Sequence, residues 1–229
     1  MLNPITQNRR AVFATTPIVL ILVITLITPV ALAATTIPAS AFNTVGTFTW
    51  YPADKLYNAS EDTFYFKVDN NLTYNPDTTA PAKLRLAQDT SGSGIYLDIY
   101  MFKDGTLELR YPDANTLLTQ LAAAWNSDEP LYFYFEPDED GCILKITRGN
   151  SEIFKDTLTS GLIVGSVAAI GGKATDTDPN VADGGNITFE FGTWTSFRPL
   201  TELMLVVVPV VVLIGVVGMV TKMIAKVAK

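Results

Sequence analysis

Between residues 45 and 194 apolar and polar side chains alternate in short runs, and clusters of Gly, Asn and Asp separate the runs. A period of two marks strands with one buried face. Phe64, Phe66 and Val68 fall on one side of such a strand with Tyr65 and Lys67 on the other, and Ile187, Phe189 and Phe191 oppose Thr188 and Glu190 in the same way. The pattern predicts strands over residues 45–51, 63–69, 83–88, 95–102, 106–111, 131–136, 142–148, 152–158, 162–170 and 186–194. Recurrence every 8 to 15 residues is the rhythm of an all-β sandwich or barrel. Lys103-Asp104-Gly105, Glu139-Asp140-Gly141 and Gly149-Asn150 have the chemistry of compact hairpin connections, because Gly and Asn accept the backbone angles that tight turns require.

One stretch departs from that period. Leu117, Leu118, Leu121 and Trp125 fall at helical spacing within residues 115–125, with Asp113 or Asn115 available as a cap. The spacing predicts a short helix crossing one end of the sandwich. Residues 176–185 read as the longest loop without structure of its own.

The two ends do not share the alternation. Residues 11–33 carry no charge, follow Arg9 and Arg10, and close on Ala31-Leu32-Ala33, the small-x-small pattern of signal-peptide cleavage. An apolar run of this length also suffices for a retained spanning helix. Residues 203–220 are 18 positions without charge, and Lys222, Lys226 and Lys229 follow. Such a run predicts a transmembrane helix, and the lysines beyond it place the C-terminus in the cytoplasm. The expected organisation is a signal peptide (1–33), a β-sandwich ectodomain (34–197), a membrane span (198–221) and a basic cytoplasmic tail (222–229). The expected location is the cell surface or a virion envelope, with the ectodomain outside.

Residues 34–202 hold all 23 acidic residues of the chain and 11 of its 16 basic ones, a net charge of −12. An acidic surface repels phosphate, which argues against nucleic acid as a partner. The single cysteine, Cys142, allows no intramolecular disulfide; it reads as a buried thiol or as a link between two copies.

The runs IYLDIYMFKDGTLELRY (95–111) and LYFYFEPDEDGCILKITR (131–148), followed by LIVGSVAAIGG and GGNITFEFGTW, resemble the strand succession of concanavalin A-like and laminin-G-like jelly-roll domains. The resemblance spans most of residues 63–194 and implies a jelly-roll fold. It also implies a function in the range of that group, in which many members bind glycans or proteins and some hydrolyse glycans.

The chain has no histidine, which removes the usual general base, the serine and cysteine triads and the common zinc sites. Paired carboxylates are then the remaining route to an enzyme. The acidic group Glu136, Asp138, Glu139 and Asp140 is a candidate, but Pro137 and Asp140-Gly141 mark it as a hairpin tip rather than a strand facing a cleft. No residue set supplies nucleophile, base and oxyanion support together, so a non-enzymatic protein is expected. No cofactor is required. Calcium is the one metal the sequence suggests, through the oxygen ligands Asp176, Asp178, Asn180 and Asp183, although the twelfth position of an EF-hand register there is Ile187. The hairpin acids fail the same register at Thr147.

Sequons occur at Asn58, Asn71 and Asn186. Asn58 and Asn71 have turn-like neighbours, whereas Asn186 begins a strand. By alternation Tyr65, Tyr96, Tyr100, Tyr132 and Tyr134 lie opposite the core positions, an outward set suited to stacking on sugars or packing against another copy, or else to pairing among themselves. Two functions follow. One is a structural subunit of a surface layer or virion coat that assembles laterally as a homo-oligomer; the other is a glycan-binding or protein-binding receptor.

Overall fold

The fold is known from a computed structural model that describes residues 34–171 and 180–194. The expected signal segment, membrane span and basic tail lie outside the described residues, as do Asp176 and Asp178. Among the described residues no helix is long and apolar enough to cross a membrane.

The ten expected strands all form, and two more join them. In chain order they are β1 (Thr35–Pro38), β2 (Thr49–Asn58), β3 (Phe64–Tyr74), β4 (Ala82–Ala87), β5 (Leu97–Met101), β6 (Leu107–Arg110), β7 (Leu117–Leu121), β8 (Leu131–Asp138), β9 (Gly141–Arg148), β10 (Ser151–Leu158), β11 (Ile163–Gly171) and β12 (Ala182–Thr193). A 3-10 helix, Ala39–Phe42, follows β1 and inserts Phe42 into the core. Sheet I has the order β1-β12-β3-β8-β9-β10 and sheet II the order β2-β11-β4-β5-β6-β7, and every pairing is antiparallel. The chain crosses repeatedly between the two sheets, which makes an all-β two-layer sandwich.

Alternation decides which side chains fill the space between the layers. Sheet I contributes Phe64, Phe66, Phe133, Phe135, Leu144, Ile146, Phe189 and Phe191; sheet II contributes Leu84, Leu86, Leu97, Ile99, Leu107, Leu109 and Val164. The phenylalanines interlock as ring pairs, Phe64 stacked on Phe135 at 4.6 Å and Tyr57 on Phe191 at 4.9 Å. Each such side chain contributes about 1.5–3 kcal/mol on burial. That core replaces the staple a disulfide would have supplied. Cys142 belongs to it, with 1% exposure and a thiol pushed up to about 12 by burial, so a link to a second copy would require opening the sandwich.

The helix expected over residues 115–125 is instead the edge strand β7, aligned with β6 through Leu107↔Leu121, Glu108↔Gln120 and Leu109↔Thr119. Two or three isolated turns of helix are marginal in water, whereas an open strand edge offers a full row of backbone partners. Asp113 accepts the backbone N–H groups of Asn115 and Thr116 and so shapes the turn into β7 rather than capping a helix. Trp125 leaves the segment for the core and donates its indole N–H to the Thr106 carbonyl.

Candidate functional site: an aromatic recess on the outer face of sheet I

The five outward tyrosines divide between the two faces of the sandwich. Tyr65 on β3 and Tyr132 and Tyr134 on β8 share the outer face of sheet I, because the register pairs Tyr65 with Tyr134 and Lys67 with Tyr132. Tyr100 on β5 and Tyr96 just before it belong to the outer side of sheet II. A single five-tyrosine face is therefore corrected to a three-tyrosine cluster and a separate pair.

The pair on sheet II is committed to internal contacts. Asp98 is fully buried; its carboxylate accepts Arg85 Nε at 2.6 Å and Arg85 Nη2 at 2.9 Å, and Lys83 Nζ lies 2.9 Å away. The Arg85 guanidinium lies between the rings of Tyr96 and Phe48, at 3.5 and 4.6 Å. Burial holds the Lys83 amine below its ordinary range and pushes Tyr100 up to about 12. Glu108 on the same sheet pairs with Arg110 at 2.6 Å. These carboxylates balance cations, which is a structural task.

Sheet I has a different outer face. Tyr132 and Tyr134 stand two residues apart on β8 with rings nearly parallel, 5.8 Å between centroids and 13° between planes. Tyr65 meets Tyr132 edge-on at 5.9 Å, and Trp194 meets Tyr134 at 5.3 Å and 73°. Trp194 continues the outward positions of β12 past Glu190 and Gly192, and its indole N–H donates to the Phe64 carbonyl, which fixes the ring. Tyr65 is 5% exposed, while Tyr132, Tyr134 and Trp194 are half-buried. Tyr65 thus serves as the floor and the other three as walls.

The rings surround a recess of about 380 Å³, completed by Pro130, Gly149, Asn150 and Glu190. Lys145 Nζ sits over the Tyr134 and Trp194 rings at 4.8 and 5.4 Å. Burial, and secondarily the charge of Glu190, holds the Tyr65 hydroxyl above its ordinary value. Beyond the rings the same face continues as a polar track: Lys67 opposite Glu190, Asp69 opposite Thr188, and Asn71 opposite Asn186. Lys67 and Asp69 form an ion pair at 3.0 Å. Flat apolar rings beside hydrogen-bonding amides and charges suit a ligand with one apolar ring face and polar edges. Trp194, Glu190, Lys145 and Asn150 lie outside the set of outward tyrosines that the sequence singles out. Glu190 already falls on the outward side of the Ile187, Phe189, Phe191 alternation, and continuing that alternation past Phe191 puts Trp194 on the same side, whereas Asn150 comes from a turn and carries no periodic signal.

The other expected sites are placed as follows. Glu136 and Asp138 end β8, and Glu139 and Asp140 form its exposed turn into β9, with Asp138 opposite Gly141. Of the calcium set, Asp183 accepts the Asn75 side-chain amide at 3.1 Å and Asn180 precedes β12. Among the described residues no three acidic or cysteine side chains gather as a metal site. Asn58 ends β2 with its side-chain oxygen accepting the Ser60 N–H. Asn71 lies within β3, not in a turn.

No protein-family model and no curated protein sequence matches the chain. Solved structures do match in shape. The carbohydrate recognition domain of Emp47p is similar at 12% identity and a TM-score of 0.45, covering 73% of this chain and 87% of that one. A Bacillus licheniformis β-glucanase is similar at 8% identity and 0.42, covering 64% and 71%. Sheep galectin-11 is similar at 13% identity and 0.38, covering 61% and 98%. Likeness of this degree concerns the course of the chain and transfers no residue roles. The fold is an all-β sandwich of two six-stranded antiparallel sheets, the class of architecture that the resemblance of residues 95–111 and 131–148 implies.

Proposed function

We propose that this chain is a non-catalytic glycan-binding domain, exported by its N-terminal segment and held at the cell surface by residues 203–220. The observation that carries the reading is the Tyr65, Tyr132, Tyr134 and Trp194 cluster, half-open around a recess with Asn150 and Glu190 at its edge. A sugar ring presents C–H groups on one face and hydroxyls around its rim. It would lay the former on Tyr132 or Trp194 and offer the latter to Asn150, Glu190 and Lys67.

The absence of catalysis is part of the proposal. Asp98 and Glu108 are bound by arginine and lysine, and the Glu136 to Asp140 acids sit at a hairpin end. Most glycoside hydrolysis uses two carboxyl groups flanking one bond, one of them able to carry a proton. Among the described residues that line the recess, Glu190 is the one carboxylate.

Lateral assembly into a coat is the second reading, since flat tyrosines also reward contact between copies. The recess favours the first, because a self-associating patch gains most from a continuous apolar surface rather than a polar-edged hollow.

The test is an oligosaccharide array probed with the full chain in detergent. Retention of a defined set of glycans, lost in Tyr132→Ala, supports the reading. No retention together with tyrosine-dependent clustering of copies on the membrane overturns it in favour of assembly.

A further inference from the structure

Asn71 and Asn186 belong to two separate sequons, Asn71-Leu72-Thr73 and Asn186-Ile187-Thr188, 115 positions apart in the chain. The sheet register makes them direct partners across β3 and β12. Directly opposed residues project to the same face with Cβ atoms about 4.5–5.5 Å apart. That is roughly the breadth of a single sugar ring, so the first residues of two covalent glycans would overlap.

The surroundings of the two asparagines differ. Asn71 is exposed, and so is the threonine of its sequon, Thr73. Thr73 stands opposite Gly184, where an added Cβ would meet nothing within 4 Å. The threonine of the Asn71 sequon therefore opens onto bare backbone. Asn186 is half-buried in an inner strand, flanked by Asn71 on one side and Pro38 of β1 on the other. Its sequon threonine, Thr188, is half-buried too.

We infer that the outer face of sheet I carries one N-linked glycan, on Asn71, and that Asn186 remains unmodified in the folded protein. The donor is a polyprenyl-phosphate-linked oligosaccharide of the exporting cell. The Asn71 amide nitrogen forms the bond to the sugar C1 and gives up one proton, while the bond from C1 to the carrier phosphate breaks and its electron pair leaves with the phosphate. The inference rests on register and exposure alone, so it stands or falls separately from the ligand proposed for the aromatic recess.

The experiment is expression of the full chain in a cell that N-glycosylates exported proteins, followed by enzymatic glycan release in heavy-oxygen water. Each site that carried a glycan is then read by peptide mass as a labelled aspartate. The expected result is label at position 71 and none at 186, with Asn186→Gln leaving the pattern unchanged and Asn71→Gln removing it. Label at 186 in folded protein, at both positions, or at neither overturns the inference. Wild-type mapping and the Asn186→Gln variant decide the matter even if Asn71→Gln fails to fold.

Discussion

Tyr65 packs over Gly192: a Cβ added at Gly192 would collide with Cζ, Cε1 and the hydroxyl oxygen of Tyr65. The two residues are register partners on β3 and β12, and the missing side chain of one makes the seat of the other. Tyr65 in turn contacts both Tyr132 and Tyr134, so the floor of the recess depends on a glycine in the neighbouring strand.

Gly192→Ala therefore tests whether the cluster acts as a unit. The methyl group must displace Tyr65, and overpacking of this kind costs about 1–3 kcal/mol. The expected outcome is a lowered urea midpoint together with loss of glycan retention, whereas Tyr65→Phe, which keeps the ring, retains the fold. Equal stability and equal retention in Gly192→Ala would mean that the floor is not rigid.

On the opposite sheet, Asp98→Asn removes the carboxylate that Arg85 and Lys83 share and leaves two buried cations facing each other. Breaking a buried pair from one side costs about 3–5 kcal/mol. Chemical denaturation should show that loss with glycan retention unchanged. A variant as stable as the parent would show that Lys83 can shed its proton cheaply, a route its lowered pKa opens.

Alkaline pH should unfold the sandwich before its surface charge alone would require it. Burial raises Tyr57 and Tyr74 above 10.0, carries Tyr100 from 10.0 to about 12, and carries Cys142 from 9.0 to about 12. A raised folded pKa means that the native state binds more protons than the unfolded one between the two values. The stability these groups contribute is thus complete below about pH 9 and is lost as pH climbs through about 12. Urea midpoints at about pH 8 and about pH 11 should differ in that sense. Ultraviolet titration should show a fraction of the tyrosines ionising only on unfolding.

A glycan on Asn71 would stand six residues from Tyr65 along β3, roughly 20 Å at about 3.3 Å per residue. It would cover the polar track of Asp69 and Asn186 while leaving the rings open. Glycosylated and enzymatically stripped protein should then bind short oligosaccharides alike, and long ones more tightly once stripped. Identical titrations with long ligands would place the ligand away from the track.

The fold was largely legible in the sequence, because strands with one buried face announce themselves by alternation, as Phe64, Phe66 and Val68 do. Two strands escaped. Thr35–Pro38 is too short to show a period, and Leu117–Leu121 carries leucines whose spacing fits a helix as well as an edge strand. Their assignment depends on the partner strands, β12 and β6, which a local pattern does not contain. The candidate site was legible in part. Alternation identified Tyr65, Tyr132 and Tyr134 as outward, but it could not place Tyr96 and Tyr100 on the other sheet. Sheet order is a long-range property, set by which edges meet.

The most direct measurement is a titration of the full chain, by calorimetry, with the best-retained oligosaccharide from the array, comparing Tyr132→Ala and Trp194→Ala with Tyr96→Ala. Loss of one stacking wall should weaken binding about tenfold, roughly 1.4 kcal/mol. Binding lowered by both changes on sheet I and untouched by Tyr96→Ala is the expected result. Binding that survives Tyr132→Ala and Trp194→Ala, or that is lost in Tyr96→Ala, would contradict a glycan site on the outer face of sheet I.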